Sequence, residues 1–311
     1  MTMKPRTNFD FMRWRLAGLI LSTAINLAAI VSLFVQGLNL SIEFTGGTVV
    51  ELVYSQPADL NHIRETLKSS EFGGGIVQNF GGVNNVLLRL PPTENVAGSE
   101  AAGADLGLRL GKLLPEAKIQ RVEFVGPQVG DELAEDAVIA SLVAMGGILL
   151  YVMLRFTFKF AVGAIVATTH DIMVILGFFS LSRMEFDLTA LAAVLAIMGY
   201  SLNDTIVVFD RIRENFRAMR KASPIEVMNL SLNQTLSRTI NTSLVTLLSV
   251  LALYFLGGEI IRSFSLALII GIVVGTYSSI YVASAMVLAL GATRQELLPI
   301  QKEGAELDSR P

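Results

Sequence analysis

Six long apolar stretches constrain the fold of this sequence more than any other feature. Each is about 20 residues long, which lets an α-helix cross the roughly 30 Å hydrocarbon core of a bilayer. They run at residues 16–35, 137–154, 160–181, 188–209, 239–256 and 264–290. Only 16% of the residues are charged and the mean hydropathy is +0.57, whereas a soluble chain usually carries about 25% charged residues. The sequence therefore predicts an α-helical polytopic membrane protein with six transmembrane helices.

Basic residues in the short loops predict how the helices are oriented, because lysine and arginine accumulate on the cytoplasmic side. One side carries eleven of them: Lys4, Arg6, Arg13, Arg15, Arg155, Lys159, Arg211, Arg213, Arg217, Arg220 and Lys221. The opposite short loops hold only Arg183 and Arg262. We therefore expect both termini to be cytoplasmic and residues 36–134 to lie across the membrane.

This arrangement divides the chain into four parts. Residues 1–35 form a cytoplasmic N-terminus and the first span, and residues 36–134 form one extracytoplasmic domain. Residues 135–292 form a bundle of the other five spans, with a cytoplasmic basic loop at 210–223. Residues 293–311 are expected to be a disordered cytoplasmic tail.

The extracytoplasmic domain is predicted to be α+β with a ferredoxin-like βαββαβ order. The predicted elements are a strand at 48–54, a helix at 59–69, strands at 75–80 and 85–90, a helix at 100–114 and a strand at 118–124. Glycines 73 to 75 separate the first helix from its strand, and Gly81 to Asn85 mark the hairpin. This order is the split arrangement of ferredoxin-like domains.

Several site types are not expected in this chain. It has no cysteine, which excludes disulfides, thiolate nucleophiles and Cys-ligated metals. His62 and His170 fall in different parts, so a His-based metal site or hydrolytic triad is not expected. Residues 107–113 (GLRLGKL) resemble a phosphate loop but have three rather than four residues before Gly-Lys and no following Ser or Thr. We therefore expect no enzyme activity, no cofactor, no metal and no nucleic-acid partner.

Polar residues within the spans are the candidate functional residues. An ionisable side chain at mid-bilayer costs about 2.5–3.5 kcal/mol on insertion scales, so such residues are usually functional. Three of them, Asp171, Asp204 and Arg238, lie in or at the end of a span. Asn203 precedes Asp204 in the fourth span, and Arg238 lies at the cytoplasmic entrance of the fifth. Because neighbouring spans are antiparallel, we expect Asp204 and Arg238 at similar depth.

The fifth helix is predicted to begin before its apolar stretch, because Ser223, Pro224 and Glu226 fit the N-cap, first and third helical positions of a capping box. A polar stripe then recurs at helical spacing: Thr235, Arg238, Thr242, Thr246 and Ser249. A polar stripe that contains Arg indicates a wetted path through the helices.

Two interpretations of Asp204 and Arg238 are open. They could form a buried structural ion pair between two helices, with the hydroxyls packing as small interfacial residues. Alternatively, Asp204 exchanges a proton, because desolvation favours its neutral form and a nearby Arg favours its charged form. Movement of the guanidinium would then control the proton.

The other polar residues of the spans have similar alternatives. Asp171, next to His170 in the third span, could relay protons or hydrogen-bond a neighbouring helix. Tyr200 and Ser201 are expected to be hydrogen-bonding partners near Asp204. Gly271 and Gly275 form a GxxxG pattern, which predicts close helix packing in the sixth span.

Motifs spread over nearly the whole chain carry a family resemblance. They are FTGG at 44–47, VGPQVG at 125–130, HD at 170–171, GYSLNDTIVVFDRIREN at 199–215, TLSRT at 235–239 and GTYSSIYVA at 275–283. With these motifs the chain resembles the SecD/SecF family of the bacterial Sec protein-export machinery, a branch of the proton-driven resistance-nodulation-division superfamily, and within it the smaller, SecF-type members. One difference is Glu43, where members usually carry Asp; it keeps the charge but leaves the local loop geometry open.

The resemblance implies a function. SecF-type members pair with SecD, which supplies a third acid and the larger external head, and use the proton gradient to pull preproteins out of the SecYEG channel. Asp204 and Arg238 match the family's proton-pathway acid and base. We also expect Asn203 and, more weakly, Asp171, His170 and Thr242 to belong to the proton pathway. The implied location is the bacterial cytoplasmic (inner) membrane.

Two other functions are open. A small-molecule or lipid exporter of the same superfamily would carry much larger external insertions than the roughly 95 residues expected here. A noncatalytic scaffold of the translocon would tolerate neutralisation of both Asp204 and Arg238.

Overall fold

The computed structural model describes residues 7–91, 100–219, 221–258 and 260–292. The expected tail at 293–311 lies outside these residues. In chain order the elements are α1 (Arg15–Gln36), β1 (Asn39–Leu40), α2 (Ile42–Thr45), β2 (Gly47–Tyr54), α3 (Leu60–Lys68), β3 (Ile76–Asn79), β4 (Asn85–Leu90), α4 (Glu100–Leu113), β5 (Ala117–Val125), α5 (Pro127–Arg155), α6 (Phe158–Ser182), β6 (Glu185–Phe186), α7 (Leu188–Ala218), α8 (Pro224–Leu256), α9 (Arg262–Ser278) and α10 (Ser284–Ala289).

Within the described residues, six helices are long and apolar enough to cross a membrane, which confirms the predicted number. They are α1, α5, α6, α7, α8 and the continuous α9–α10 pair. A π-helical turn, Ser279–Ala283, joins α9 to α10. About half of the most apolar window of α6, α7 and α9–α10 is buried, but only 6% of that of α5 and 17% of that of α8. Helices α5 and α8 therefore leave most of their spanning surface uncovered by this chain.

The segment predicted to be a basic loop at 210–223 is mostly helical, which corrects that prediction. Helix α7 continues to Ala218, nine residues beyond its apolar stretch, and α8 begins at Pro224. The two extensions persist because their apolar sides pack together: Phe209, Ile212 and Phe216 share a buried cluster with Val227, Met228 and Leu232. The capping box is confirmed, since Ser223 accepts from the Glu226 amide and the Glu226 side chain accepts from the Ser223 amide.

The residues from Gly47 to Val125, here called the α/β domain, lie between the first and second spanning helices. Their elements follow the order β2, α3, β3, β4, α4, β5, as the sequence predicts. The four strands form an antiparallel sheet in the order β3-β4-β2-β5. Helices α3 and α4 cover one face, where Leu52, Leu67, Leu88 and Leu110 are buried. This face provides the domain with an apolar core of its own.

A second, two-stranded sheet lies at the base of the α/β domain. Strand β1, which follows α1, pairs in parallel with β6, which lies between α6 and α7. The pairing therefore joins the chain that leads into the α/β domain to the connection between the third and fourth spans.

Candidate functional site

Two glycines of α9 let this helix pack closely against α7, the helix that carries Asp204. A Cβ atom added at Gly271 would lie 2.5 Å from the side chain of Ile197, and one at Gly275 would lie 3.1 Å from Ser201. Gly271 has no room for a Cβ atom unless Ile197 moves, and Gly275 has room only if Ser201 shifts by a few tenths of an ångström. The GxxxG prediction of close helix packing is therefore confirmed, and α7 is the partner helix.

Gly271→Ala is expected to lower the free energy of unfolding by about 1–3 kcal/mol, because the new methyl group overlaps Ile197. The measurement is the thermal unfolding midpoint of the purified protein in detergent. Gly146→Ala is the matched control, since this helical glycine has no atom within 4 Å of an added Cβ. Equal midpoints for both variants would show that the α7–α9 contact does not limit stability.

Asp204 lies on α7, where it faces α8 and α9. It is 4% exposed, and its only hydrogen bond to the described residues is a long one, in which Ser243 Oγ donates to Asp204 Oδ2 at 3.4 Å. Ser243 also contacts Thr276 of α9, at 2.8 Å between the hydroxyl oxygens. Because a carboxylate offers about four acceptor positions, Asp204 is a buried acid whose hydrogen-bonding capacity is largely unused.

Arg238 does not pair with Asp204, so a buried ion pair is not how these helices are held together. No ion pair within 4.0 Å joins these two side chains, both of which are described, and Arg238 is exposed. Asp204 lies level with Ser243 rather than with Arg238. Five residues along a helix correspond to about 7.5 Å of rise and to about 140° of net rotation, which places Arg238 on a different face of α8.

The buried polar stripe of α8 differs from the one that the sequence predicted. Four hydroxyl residues recur every fourth position and are at most 8% exposed: Ser231, Thr235, Thr239 and Ser243. Of the predicted stripe only Thr235 is buried, whereas Arg238, Thr242 and Ser249 are exposed. The spacing of four was visible in the sequence, but the choice between the two stripes depends on how α8 is rotated against α7.

The buried stripe leads from Asp204 toward the start of α8. At its far end, Asn215 of α7 donates to Ser231 Oγ at 2.8 Å. Between the ends, the buried Thr239 hydroxyl has no hydrogen-bond partner among the described residues. The stripe therefore contains a free polar group one helical turn from Ser243.

Asp171 lies at the meeting point of α6, α7 and α9 and is 1% exposed. Its Oδ2 accepts from Ser201 of α7 at 2.5 Å and from Ser278 of α9 at 2.8 Å, while Oδ1 lies 2.9 Å from His170 Nδ1. His170 is also buried, and its Nε2 has no partner among the described residues. These contacts to α7, α9 and His170 fix the carboxylate in place.

Other sequence predictions for this region need correction. Tyr200 and Ser201 do not bond Asp204: Ser201 bonds Asp171, and the Tyr200 hydroxyl donates to Thr246 at 3.3 Å. Asn203 and Thr242 are exposed, and their place in the proton pathway stays a prediction. Ser243, Thr276 and Ser278 are the contacts that sequence reasoning missed as partners. Within the described residues, no group of three or more His, Cys, Asp or Glu side chains could hold a metal ion.

Comparison with known protein families gives two matches that together span most of the chain. Residues 109–293 match the family "Protein export membrane protein SecD/SecF, C-terminal", and residues 31–58 match "SecD/SecF GG Motif". The chain is 47% identical to the protein translocase subunit SecF of Vibrio alginolyticus over 99% of both chains. It is 43% identical to the protein of the same name from Escherichia coli O157:H7, covering 98% of this chain and 95% of that one.

Two solved structures resemble this one. The crystal structure of SecDF from Thermus thermophilus, described as a translocon-associated membrane protein, matches with a TM-score of 0.83 at 42% identity over 92% of this chain. SecDF in a super-membrane-facing form matches with a TM-score of 0.65 at 42% identity over 93% of this chain. This chain spans only 39% of the length of either SecDF chain. The two SecDF structures differ from each other in the part that this chain covers.

Proposed function

Because this chain belongs to the SecD/SecF family of protein-export membrane proteins and is a SecF-type, multi-pass subunit, we propose that it couples the proton gradient to protein export. In this proposal it pairs with SecD in the bacterial inner membrane and helps to complete preprotein movement out of the SecYEG channel. The basic short loops support cytoplasmic termini and an α/β domain on the opposite side of the membrane. The order and pairing of its strands support a ferredoxin-like fold for that domain.

The unequal hydrogen bonding of the two buried acids carries the proposal. The Asp171 carboxylate makes three short hydrogen-bonding contacts, to Ser201 of α7, Ser278 of α9 and its neighbour His170, so it holds a junction of three spans in place. Asp204 accepts one long bond, so it can change protonation with little loss of local contacts. We therefore assign proton exchange to Asp204 and a structural role to Asp171, supported by His170.

The exposed polar surface of α7 and α8 supports a membrane partner. Asn203, Arg238, Asn241 and Thr242 are exposed in this chain, although they lie on helices long enough to span a bilayer. Polar side chains within a membrane are seldom left facing lipid and usually pair with another protein or a water-filled cavity. A second protein that covers this surface would also bury the part of α8 that this chain leaves exposed. SecD is the partner that the family indicates.

In this arrangement Arg238 lies on a different face of α8 from Ser243, the residue that bonds Asp204 of α7. Protons would reach Asp204 from the covered polar surface that includes Asn203, Arg238 and Thr242. The buried hydroxyls of Ser243 and Thr239 lie on the other side, toward the start of α8. Arg238 would then act on Asp204 through space rather than through contact.

The test of the proposal uses inverted membrane vesicles with a preprotein halted after partial entry. ATP is removed, a proton gradient is imposed or withheld, and completed export is measured. We expect the gradient to drive completion only in vesicles that contain both this chain and SecD. Export that is equal with and without the gradient would contradict proton coupling. Gradient-driven efflux of a small molecule or lipid from the same vesicles would favour the exporter alternative.

Arg238→Met is expected to lower proton-driven export by about tenfold, equivalent to about 1.4 kcal/mol, while Arg238→Lys has an intermediate effect because it keeps the charge. Co-purification with SecD measures assembly separately. Arg211→Met is the matched control, since Arg211 pairs with Glu214 at the end of α7 away from Asp204. Normal proton-driven export by Arg238→Met would support the scaffold alternative.

A further inference from the structure

A set of polar contacts binds the base of the α/β domain to the start of α7. We call it the joint: residues 38–47, which lead into β2, residues 183–188, which connect α6 to α7, and Arg89 of β4. Besides the β1–β6 pairing, the Ser41 amide donates to the Phe186 carbonyl at 3.1 Å. The joint lies at the opposite end of α7 from the basic loop and has no part in proton exchange itself.

Glu43 binds directly to the helix that carries Asp204. Its Oε2 accepts from the backbone amide of Leu188, the first residue of α7, at 2.7 Å, and from Ser41 Oγ at 3.2 Å. Amides in the first turn of a helix have no partner within the helix, and the positive end of the helix dipole favours a carboxylate there. Asp187 caps the Ala190 amide of the same turn at 2.7 Å. Glu43 is therefore a second cap, supplied by a residue 145 positions away.

Arg89 makes a second connection from the sheet. It pairs with Glu185 of β6 and donates to the Leu40 carbonyl at 3.2 Å. The side chain is only 10% exposed, and burial lowers the pKa of the Arg89 guanidinium while the nearby charge of Asp187 opposes that shift. Since Arg89 pairs across the sheet with Val49 of β2, this contact binds the centre of the sheet to the joint.

The chain between Glu43 and the sheet has little freedom to absorb movement. Only three residues separate Glu43 from Gly47, where β2 begins. A Cβ atom at Gly47 would lie 2.6 Å from the Leu90 carbonyl oxygen, and one at Gly130 of α5 would lie 2.7 Å from the Gly46 amide nitrogen. The segment is thus packed against both β4 and the first turn of α5.

We propose that the joint makes the α/β domain and α7 move as one body, with Glu43 and Arg89 as positioning residues for proton-driven export. The inference rests on the proposed function, because proton exchange at Asp204 is what would move α7. Asp204 lies 16 residues beyond Leu188, about 24 Å along the helix axis at 1.5 Å per residue. A shift of α7 on proton exchange at Asp204 is then passed to the domain through the two caps and the Arg89–Glu185 pair.

Glu43→Ala tests the proposal by separating proton uptake from export. In the complex with SecD, we expect proton uptake to persist while proton-driven export falls about fivefold, the factor expected for one lost helix cap. Glu51→Ala is the matched control, because Glu51 lies on β2 but faces Arg121 within the domain. A parallel fall of uptake and export in Glu43→Ala, with less folded protein, would show a purely structural cap and overturn the proposal.

A distance measurement tests the joint without reference to protons. The chain has no cysteine, so spin labels at Ser69→Cys on the α/β domain and at Ala192→Cys, an exposed position in the second turn of α7, are unambiguous. We expect a narrow distance distribution that broadens in Glu43→Ala and in Arg89→Glu, and narrows again in Arg89→Glu with Glu185→Arg. Distributions unchanged by both single variants would overturn the joint. If wild-type vesicles instead show no gradient-driven export, the proposed function fails while the distances still report on the joint.

Discussion

Asp204→Asn is expected to reduce proton-driven export to the level measured without a gradient, while leaving the complex with SecD intact. Asparagine has nearly the same shape as aspartate and can still accept from Ser243, so the packing of α7, α8 and α9 should persist. It cannot take up or release a proton. A charge that crosses 100 mV releases about 2.3 kcal/mol. Each proton lost from the cycle therefore lowers the equilibrium constant of the driven step by about fifty-fold.

The measurement compares export and proton uptake in vesicles that contain equal amounts of each variant complex. Asp204→Glu is the conservative control: it keeps a carboxyl group, so we expect partial activity limited by the altered position of the acid. Asp105→Asn on the exposed side of α4, where Asp105 pairs with Arg109, should leave export unchanged. Normal proton-driven export by Asp204→Asn would exclude Asp204 as the exchanging acid.

The sequence predicts the architecture well because the physical signals are long and repeated. Six apolar stretches of membrane length leave few alternatives, and the strands and helices of the α/β domain lie within about two residues of their predicted ends. The capping box at Ser223 was equally readable, because its two side chains act within one helical turn. Local patterns of this kind depend on neighbours in the sequence alone.

The site was less predictable because it depends on how helices are rotated and staggered. The sequence identifies Asp204 and Arg238 as candidates by residue type and span position, but whether their side chains meet depends on a helix rotation that no hydropathy pattern fixes. The residue of α8 that bonds Asp204 is Ser243, which lies five residues after Arg238. The role of Glu43 could not be predicted either, since nothing near it in the sequence indicates that it caps α7, 145 positions away.

Asp171 is the residue for which sequence left two roles equally open, and two substitutions separate them. Asp171→Ala is expected to destabilise the protein by about 2–4 kcal/mol, because it leaves Ser201, Ser278 and His170 without their shared acceptor and each such bond within a membrane contributes about 1 kcal/mol. The measurement is the thermal unfolding midpoint, together with the yield of complex with SecD.

Asp171→Asn is the decisive variant, because it removes the charge but keeps the volume and one acceptor oxygen. The amide oxygen can still accept from Ser201 and Ser278, and the amide N–H₂ can donate to Nδ1 if His170 changes tautomer. We expect a loss of stability of about 1 kcal/mol, since His170 Nε2 would then carry a buried proton without a partner. Proton-driven export should be retained. If Asp171→Asn instead abolishes export in a stable complex, as expected of Asp204→Asn, then Asp171 is part of the proton path. The number of hydrogen bonds to a buried acid would then not distinguish proton-exchanging groups from structural ones in this bundle.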